Sequence, residues 1–213
     1  MVNTGFITVA QGKVRTRDPR YVSFTDQRIA VTRFFNALGG SAPADSSLFN
    51  HHPDLTKLKT YLQRADRPKL DGFALEQALL RITSAINREN KWAFILALAV
   101  IPIPRKSPKL AEIGKVLSDT IRTDQRPVNV AAAAQVVLSI KNIFSVEFKK
   151  VIRQEAKEAL VRFQKQPRSP FDNEESARQL LTTICDLDAI ITNVTFVPKA
   201  KVKPPKPTPG DLY

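Results

Sequence analysis

The chain of 213 residues carries 33 lysines and arginines against 20 aspartates and glutamates, a formal net charge of +13. Its hydrophobic fraction of 43% excludes wholesale disorder, and its single cysteine excludes an internal disulfide or a cysteine-rich zinc site. With two histidines and no phosphate-loop or hydrolase motif, the composition predicts no metal, no cofactor and no enzymatic activity. The charge favours a polyanion as the binding partner.

Residues 1–24 have the pattern of an extended basic arm. Two short β-prone runs flank Gln11-Gly12, which is typical of a small hairpin or of a single extended strand. Lys13, Arg15 and Arg17 alternate along the second run, so in an extended chain they share one face. The apolar residues that we expect to anchor this arm on other copies are Phe6, Ile7 and Val9.

Residues 25–193 show helical periodicity and predict one all-α core domain, a compact body of about eight helices. The run 91–101 is apolar on all sides, which predicts a helix central to the body. The helix predicted to follow Asn129 and to run to Phe144 contains Ala131–Ala134, which indicate close approach of a neighbouring helix. Cys185 falls in an apolar pattern and is predicted to be buried. The residues predicted to cap or start helices are Ser23 or Thr25, Pro53, Asp71, Asn90, Ser107-Pro108, Asn129, Ser145 and Asp172.

Residues 194–213 form a second predicted arm, in which five prolines oppose a helix and favour extended chain. Its lysines include Lys199, Lys201 and Lys203, which make the arm basic. The apolar residues that we expect to anchor it are Phe196, Val197, Leu212 and Tyr213.

The charge is unevenly distributed along the sequence. Residues 141–170 hold eight basic residues against three acidic ones, and the segments 1–20 and 194–213 each hold four against one. These three segments therefore carry +11 of the net charge, which suits a long phosphate chain better than a small anionic substrate.

Two groups of cations in the core are predicted to contact nucleic acid. On the helix after Ser145, residues spaced by four share one face, and the second group precedes a helix whose amino terminus favours anions. A solvated helix face is the structural alternative for the first group. The predicted nucleic-acid-binding residues of the core and arms are Lys149, Lys150, Arg153, Lys157, Arg105, Lys106, Lys109, Lys13, Arg15, Arg17, Lys199, Lys201 and Lys203.

The leading hypothesis is a protein that binds RNA or single-stranded nucleic acid without sequence preference. It would self-assemble through its arms as a homo-oligomer, like a viral nucleocapsid or helical coat protein. One alternative is a DNA-binding regulatory or adaptor protein of a phage, plasmid or virus, with Phe144-Ser145 as the turn of a helix-turn-helix. Another is a matrix protein that binds anionic membrane surfaces.

The chain opens without the basic and then apolar pattern of a secretion signal, and its longest apolar run is about half of a roughly 20-residue membrane span. We therefore expect an intracellular protein, either cytoplasmic or part of a virion, that is neither secreted nor transmembrane. His51 and His52 have no further ligands nearby in sequence, so a mild pH sensitivity is expected of them rather than metal binding.

Overall fold

The fold is described from a computed structural model. The structure describes residues 7–10, 13–16, 24–40, 52–64, 69–84, 90–140, 142–165 and 174–195. Within these ranges the body is all-α, as predicted. Its eight helices are α1 (Phe24–Gly39), α2 (Pro53–Leu62), α3 (Asp71–Thr83), α4 (Lys91–Val100), α5 (Leu110–Thr123), α6 (Pro127–Ser139), α7 (Val146–Lys165) and α8 (Glu174–Thr195).

A short antiparallel hairpin precedes the helical body. Its strands are β1 (Ile7–Ala10) and β2 (Lys13–Thr16), and Val9 is paired with Val14 across them. Of the two conformations predicted for this segment, the structure has the hairpin.

Two buried helices, α4 and α6, pack against each other and connect α1, α2 and α3 with α5, α7 and α8. α4 packs against α1, α2, α3 and α6, and all of its residues from Trp92 to Leu98 are buried, as its all-apolar sequence predicts. α6 packs against α4, α5, α7 and α8. Its residues Ala131–Ala134 have no exposed surface, which fits the close helix approach expected of four alanines.

The predicted helix starts at Pro53, Asn90 and Ser145 are confirmed, and three others differ for local reasons. Ser23 and Asp172 lie outside the described residues. Ser145 caps α7, because its hydroxyl accepts a hydrogen bond from the Phe148 backbone N–H at 3.1 Å. The Ser107 hydroxyl instead accepts from the Lys109 N–H at 3.3 Å, which closes a turn, and α5 begins three residues after Ser107. Asp71 is the first residue of α3 rather than its cap.

α6 differs from its prediction at both ends. It begins at Pro127, so Asn129 lies inside its first turn instead of capping it. The Asn129 amide donates to the Asp124 carboxylate at 3.2 Å, and this carboxylate also accepts from the Arg126 backbone N–H. The helix ends at Ser139 and does not continue to Phe144.

Cys185 is exposed, so the prediction that it is buried is wrong. The buried side of α8 is formed by residues spaced by three and four, namely Leu180, Ile184, Leu187 and Ile191. Cys185 follows Ile184 directly and is therefore rotated by about 100° from that side.

Contacts of α4 fix the relative directions of α1, α4 and α5. The Asn90 amide, just before α4, donates to the Gly39 carbonyl at the end of α1, and the Phe35 and Phe94 rings lie 6.3 Å apart. α1 and α4 are therefore antiparallel. Lys91, at the start of α4, is ion-paired with Asp124, just after α5, at 2.9 Å, so the start of α4 lies where α5 ends.

α3 follows the direction of α1. The Arg28 guanidinium lies 4.6 Å from the Phe73 ring, and eight residues further along both helices Arg81 donates to Asn36 Oδ1 at 2.7 Å. The two helices are therefore parallel.

α5 and α7 are also parallel. The Phe148 ring packs on Gly114 near the start of both helices. Further along, the Ser118 hydroxyl donates to the Glu155 carboxylate at 2.9 Å, and near the ends Arg162 donates to the Ile121 carbonyl at 3.1 Å.

α8 runs antiparallel to α7. Asp188 contacts both Arg153 and Lys157. If the helices were parallel, the end of α7 and the start of α8 would lie about 36 Å apart at 1.5 Å per residue. The nine peptide steps from Lys165 to Glu174 span at most about 32 Å, so only the antiparallel arrangement connects them.

These directions give the body two distinct ends. At one, which we call the arm end, α1, α3, α5 and α7 begin, and α4 and α8 finish. At the other, the far end, α1 and α5 finish, and α4 and α6 begin. Both predicted arms therefore join the body at the arm end, one before Phe24 and the other after Thr195.

Candidate nucleic-acid interface

Lys149 is buried. Only 6% of its surface is exposed, so it does not lie on the open face of α7 that the predicted stripe requires. The physical reason is its spacing, since Lys149, Ile152, Ala156 and Ala159 follow one another at three and four residues and form the buried side of α7.

The next two members of the predicted stripe face α8 instead of an open surface. The Arg153 guanidinium lies 2.6 Å from Asp188 Oδ1, and Lys157 Nζ lies 3.4 Å from Oδ2 of the same carboxylate. Partial burial acts to raise the pKa of Asp188, but the hydrogen bonds from Arg153 and Lys157 outweigh it and lower that pKa. Of the four predicted α7 cations, Lys150 is the one that is exposed and has no ion pair within the described residues.

Arg162 is a structural cation that the sequence analysis did not select. Its guanidinium donates to the carbonyls of Ile121, Arg122 and Asp124 at 3.1, 2.7 and 3.0 Å, where α5 ends. The last carbonyls of a helix have no partner within it, and they attract positive charge. No local sequence signal marks this contact, because about 40 residues separate the donor from its acceptors.

The cations before α5 are more accessible. Arg105 and Lys106 lie in a turn, are exposed, and have no ion pair within the described part of the chain. Lys109 is paired with Glu112 at 2.7 Å, and the hydrogen bond that it donates raises the pKa of Lys109. Two of the three cations predicted here, Arg105 and Lys106, are therefore exposed and without an ion pair among the described residues, whereas Lys109 is paired.

The arm end carries both signs of charge. Each of the four helices that begin there has one acidic residue in its first turn, which stabilises the positive end of the helix dipole. These acidic residues are Asp26, Asp71, Glu112 and Glu147. The exposed cations at this end include Arg28, which lies over the Phe73 ring, and Lys69, Arg105, Lys106 and Lys150. The segments 1–20 and 194–213 carry +6 of the net charge of +13, so the predicted arms supply nearly half of the positive excess.

Two of the predicted arm cations, Lys13 and Arg15, lie on β2. Ile7 and Val9 lie on β1. The other predicted arm residues lie outside the described residues, and they are Arg17, Lys199, Lys201, Lys203, Phe6, Phe196, Val197, Leu212 and Tyr213. The structure adds that Phe24 and Thr195, from which the two predicted arms extend, lie at the same end of the body as Arg105, Lys106 and Lys150.

Aromatic side chains in the body serve packing. Trp92 is fully buried in α4, as predicted, and Tyr61 packs against Phe34 with the ring centroids 5.4 Å apart. Among the described residues there is no group of histidine, cysteine and carboxylate side chains that could hold a metal ion. No helix in the described ranges combines the length and apolar character needed to cross a membrane.

Comparison of the chain with protein-family models, curated proteins and solved structures gives no match.

Proposed function

We propose that the chain binds RNA or another single-stranded nucleic acid without sequence preference and self-assembles through its arms, in the manner of a nucleocapsid or helical coat protein. One observation carries the proposal. Both basic arms join the body at the arm end, where Arg105, Lys106 and Lys150 are exposed. A phosphate backbone passing this end would meet cations from the body and from both arms.

The arms suit a flexible polyanion. Residues 196–213 carry four lysines and one aspartate, and at about 3.1 Å per residue an extended segment of this length reaches about 55 Å. Lysine ammonium groups contact phosphates without reading bases. Binding of this kind depends on the number of phosphates engaged and weakens steeply with salt.

The DNA-binding alternative has less support. α6 and α7 are separated by residues 140–145, whereas a helix-turn-helix joins its helices by three or four residues. The basic side of α7 that would enter a groove packs against α8 through Asp188. A duplex ligand would therefore have to bind elsewhere.

Two measurements test the proposal. Size-exclusion chromatography with absorbance at 260 and 280 nm, before and after nuclease and high salt, should show bound nucleic acid and assemblies larger than one chain. Fluorescence anisotropy with single-stranded RNA 20-mers of unrelated sequence should give similar affinities. If six phosphates are engaged, the slope of log K against log salt should be near −4. A monomer with no salt-dependent binding would overturn the proposal, and binding only to anionic vesicles would favour the membrane alternative.

A pair of matched variants locates the interface. R105A/K106A removes two exposed cations from the arm end, and R126A/K165A removes two exposed cations from the far end. The first variant should make the salt slope shallower by about 1.4, which is 0.7 for each lost phosphate contact. The second should leave the slope unchanged. Equal loss in both variants would contradict the assignment to the arm end.

A further inference from the structure

α8 carries an apolar stripe that faces away from the body. Leu181, Cys185 and Ala189 are all exposed, and they follow one another at intervals of four residues. Leu181 keeps 51% of its surface exposed, although leucine is most often buried. The stripe is about 12 Å long, which matches roughly four residues of extended chain.

α8 is also acidic in a chain that is strongly basic. It holds Glu174, Glu175, Asp186 and Asp188 against Arg178 alone, and of these acids Asp188 is already paired with Arg153 and Lys157 of α7. Asp186 is exposed and adjoins the stripe, one position after Cys185. A segment that is apolar and basic together would therefore complement this side of α8 both in hydrophobicity and in charge.

The chain contains such a segment directly after α8. Phe196 and Val197 are its apolar pair, and Lys199 and Lys201 follow at the spacing of extended chain. Pro198 between them opposes continuation of the helix and favours extended backbone. An extended peptide with apolar anchors and flanking cations is a common form of docking ligand.

Covalent geometry determines which copy supplies the segment. Cys185 lies ten residues before Thr195, about 15 Å back along the helix, and Leu181 lies about 21 Å back. Phe196 and Val197 are only one and two residues beyond Thr195, so they reach at most about 7 Å. These anchors therefore cannot reach Leu181 or Cys185 of their own chain, but the same residues of another copy can.

We propose that Phe196 and Val197 of one copy dock on the Leu181–Cys185–Ala189 stripe of a neighbouring copy, with Lys199 and Lys201 beside Asp186. This inference rests on the proposed function, because it specifies how the arms produce self-assembly. The contact joins two different surfaces, so it yields a ring or a filament when it passes from copy to copy, and a symmetric dimer when two copies exchange their arms.

The test uses Cys185, the only cysteine of the chain, as a reporter. Alkylation of the full-length protein by a maleimide is followed at low and high protein concentration, without nucleic acid and then with single-stranded RNA. The Cys185 alkylation rate should fall about tenfold in the assembled protein, as mass action gives when nine stripes in ten are covered. A rate that stays constant while the protein assembles would overturn the docking contact.

Three variants complete the test. L181E and F196S/V197S should each abolish the protection of Cys185 and shift the protein toward single chains, while L80E should behave as wild type. Leu80 is a matched control because it is also an exposed leucine, with 60% of its surface accessible against 51% for Leu181, but lies on α3. Assembly of L181E at wild-type concentrations would contradict the inference alone, because RNA binding could persist. A wild-type protein that protects Cys185 but binds no RNA would contradict the proposed function alone.

Discussion

The two ends of the helical body contain the same types of cation but use them differently. At the far end, Arg81 donates to the Phe35 carbonyl at 3.3 Å and to Asn36, and Arg162 donates to three carbonyls at the end of α5. At the arm end, Arg105 and Lys106 are exposed. The difference follows from helix direction, because carboxyl-terminal carbonyls attract arginine whereas amino termini repel it.

This comparison shows why net charge overstates the charge available to a ligand. α7 contains six basic residues, yet Lys149 is buried, Arg153 and Lys157 share Asp188, and Arg162 caps α5. We therefore expect substitutions at the far end to change stability and substitutions at the arm end to change binding.

The largest expected effect is that of Arg162→Ala. It leaves three helix carbonyls without their charged donor, so the free energy of unfolding should fall by about 2–4 kcal/mol in urea denaturation. Arg162→Lys keeps the charge but loses the planar guanidinium group. Its free energy of unfolding should therefore lie between those of Arg162→Ala and wild type. The control is Lys165→Ala, an exposed position one turn later on α7, where a comparable loss of stability would contradict the capping role.

Arg81→Ala should have the next largest effect. The guanidinium has one backbone and one side-chain acceptor, and it lies 5.8 and 5.5 Å from the Phe35 and Phe94 rings. We expect a loss of about 1–2 kcal/mol, measured by the same denaturation. Arg33→Ala, at an exposed position of α1, should change the unfolding free energy by less than about 0.5 kcal/mol. Equal effects of the two substitutions would show that Arg81 does not hold the end of α1.

A smaller effect is expected at His52, which caps α2. Its Nδ1 accepts from the Asp54 backbone N–H at 3.2 Å, and its ring lies 5.7 Å from that of Trp92. Burial lowers the pKa of His52 below the ordinary 6.5, although Asp54 opposes the shift. As the pH falls below 6.5, the unfolded chain takes up a proton that the folded chain resists, so stability is full above 6.5 and declines toward acid.

The expected loss is about 1 kcal/mol, the usual contribution of a helix cap. It should be visible as a falling midpoint of thermal unfolding between pH 7.5 and 5. His52→Asn keeps a capping acceptor that does not titrate, so its midpoint should fall less over this range. An identical pH profile for wild type and H52N would show that another group is responsible.

The smallest effect on stability is expected at the arm end. R105A/K106A removes two exposed side chains with no ion pair within the described residues, so the unfolding free energy should stay within about 0.5 kcal/mol of wild type. The double substitution should instead make the salt dependence of nucleic-acid binding shallower, as described above. A loss of stability as large as that of Arg162→Ala would remove the distinction between the two ends.

Local patterns predicted the helices well. The apolar run of α4, the proline that starts α2 and the serine that caps α7 all act within a few residues, and all three are found in the structure. The burial of Lys149 was also readable, because it continues the three- and four-residue spacing of Ile152 and Ala156. Its charge directed the interpretation toward solvent.

Long-range features could not be predicted from the sequence. The acceptors of Arg162 are about 40 residues away, and the partner of Arg153 and Lys157 is more than 30 residues away on α8. The meeting of both arms at one end depends on the directions of five helices, α1, α4, α5, α7 and α8, which follow from such contacts alone. Of the predicted interface residues, Arg105, Lys106 and Lys150 are exposed and Lys149 is buried, and a role of the exposed three in binding stays a prediction.

The joining of both arms at one end has a practical consequence for reporter design. An affinity tag or fluorescent protein fused to either arm would crowd the surface that we assign to nucleic acid and the arms through which copies associate. A reporter inserted between Lys165 and Glu174, where α7 and α8 connect at the opposite end, would leave both arms unmodified. Insertion at this connection is therefore the better choice for imaging assembly.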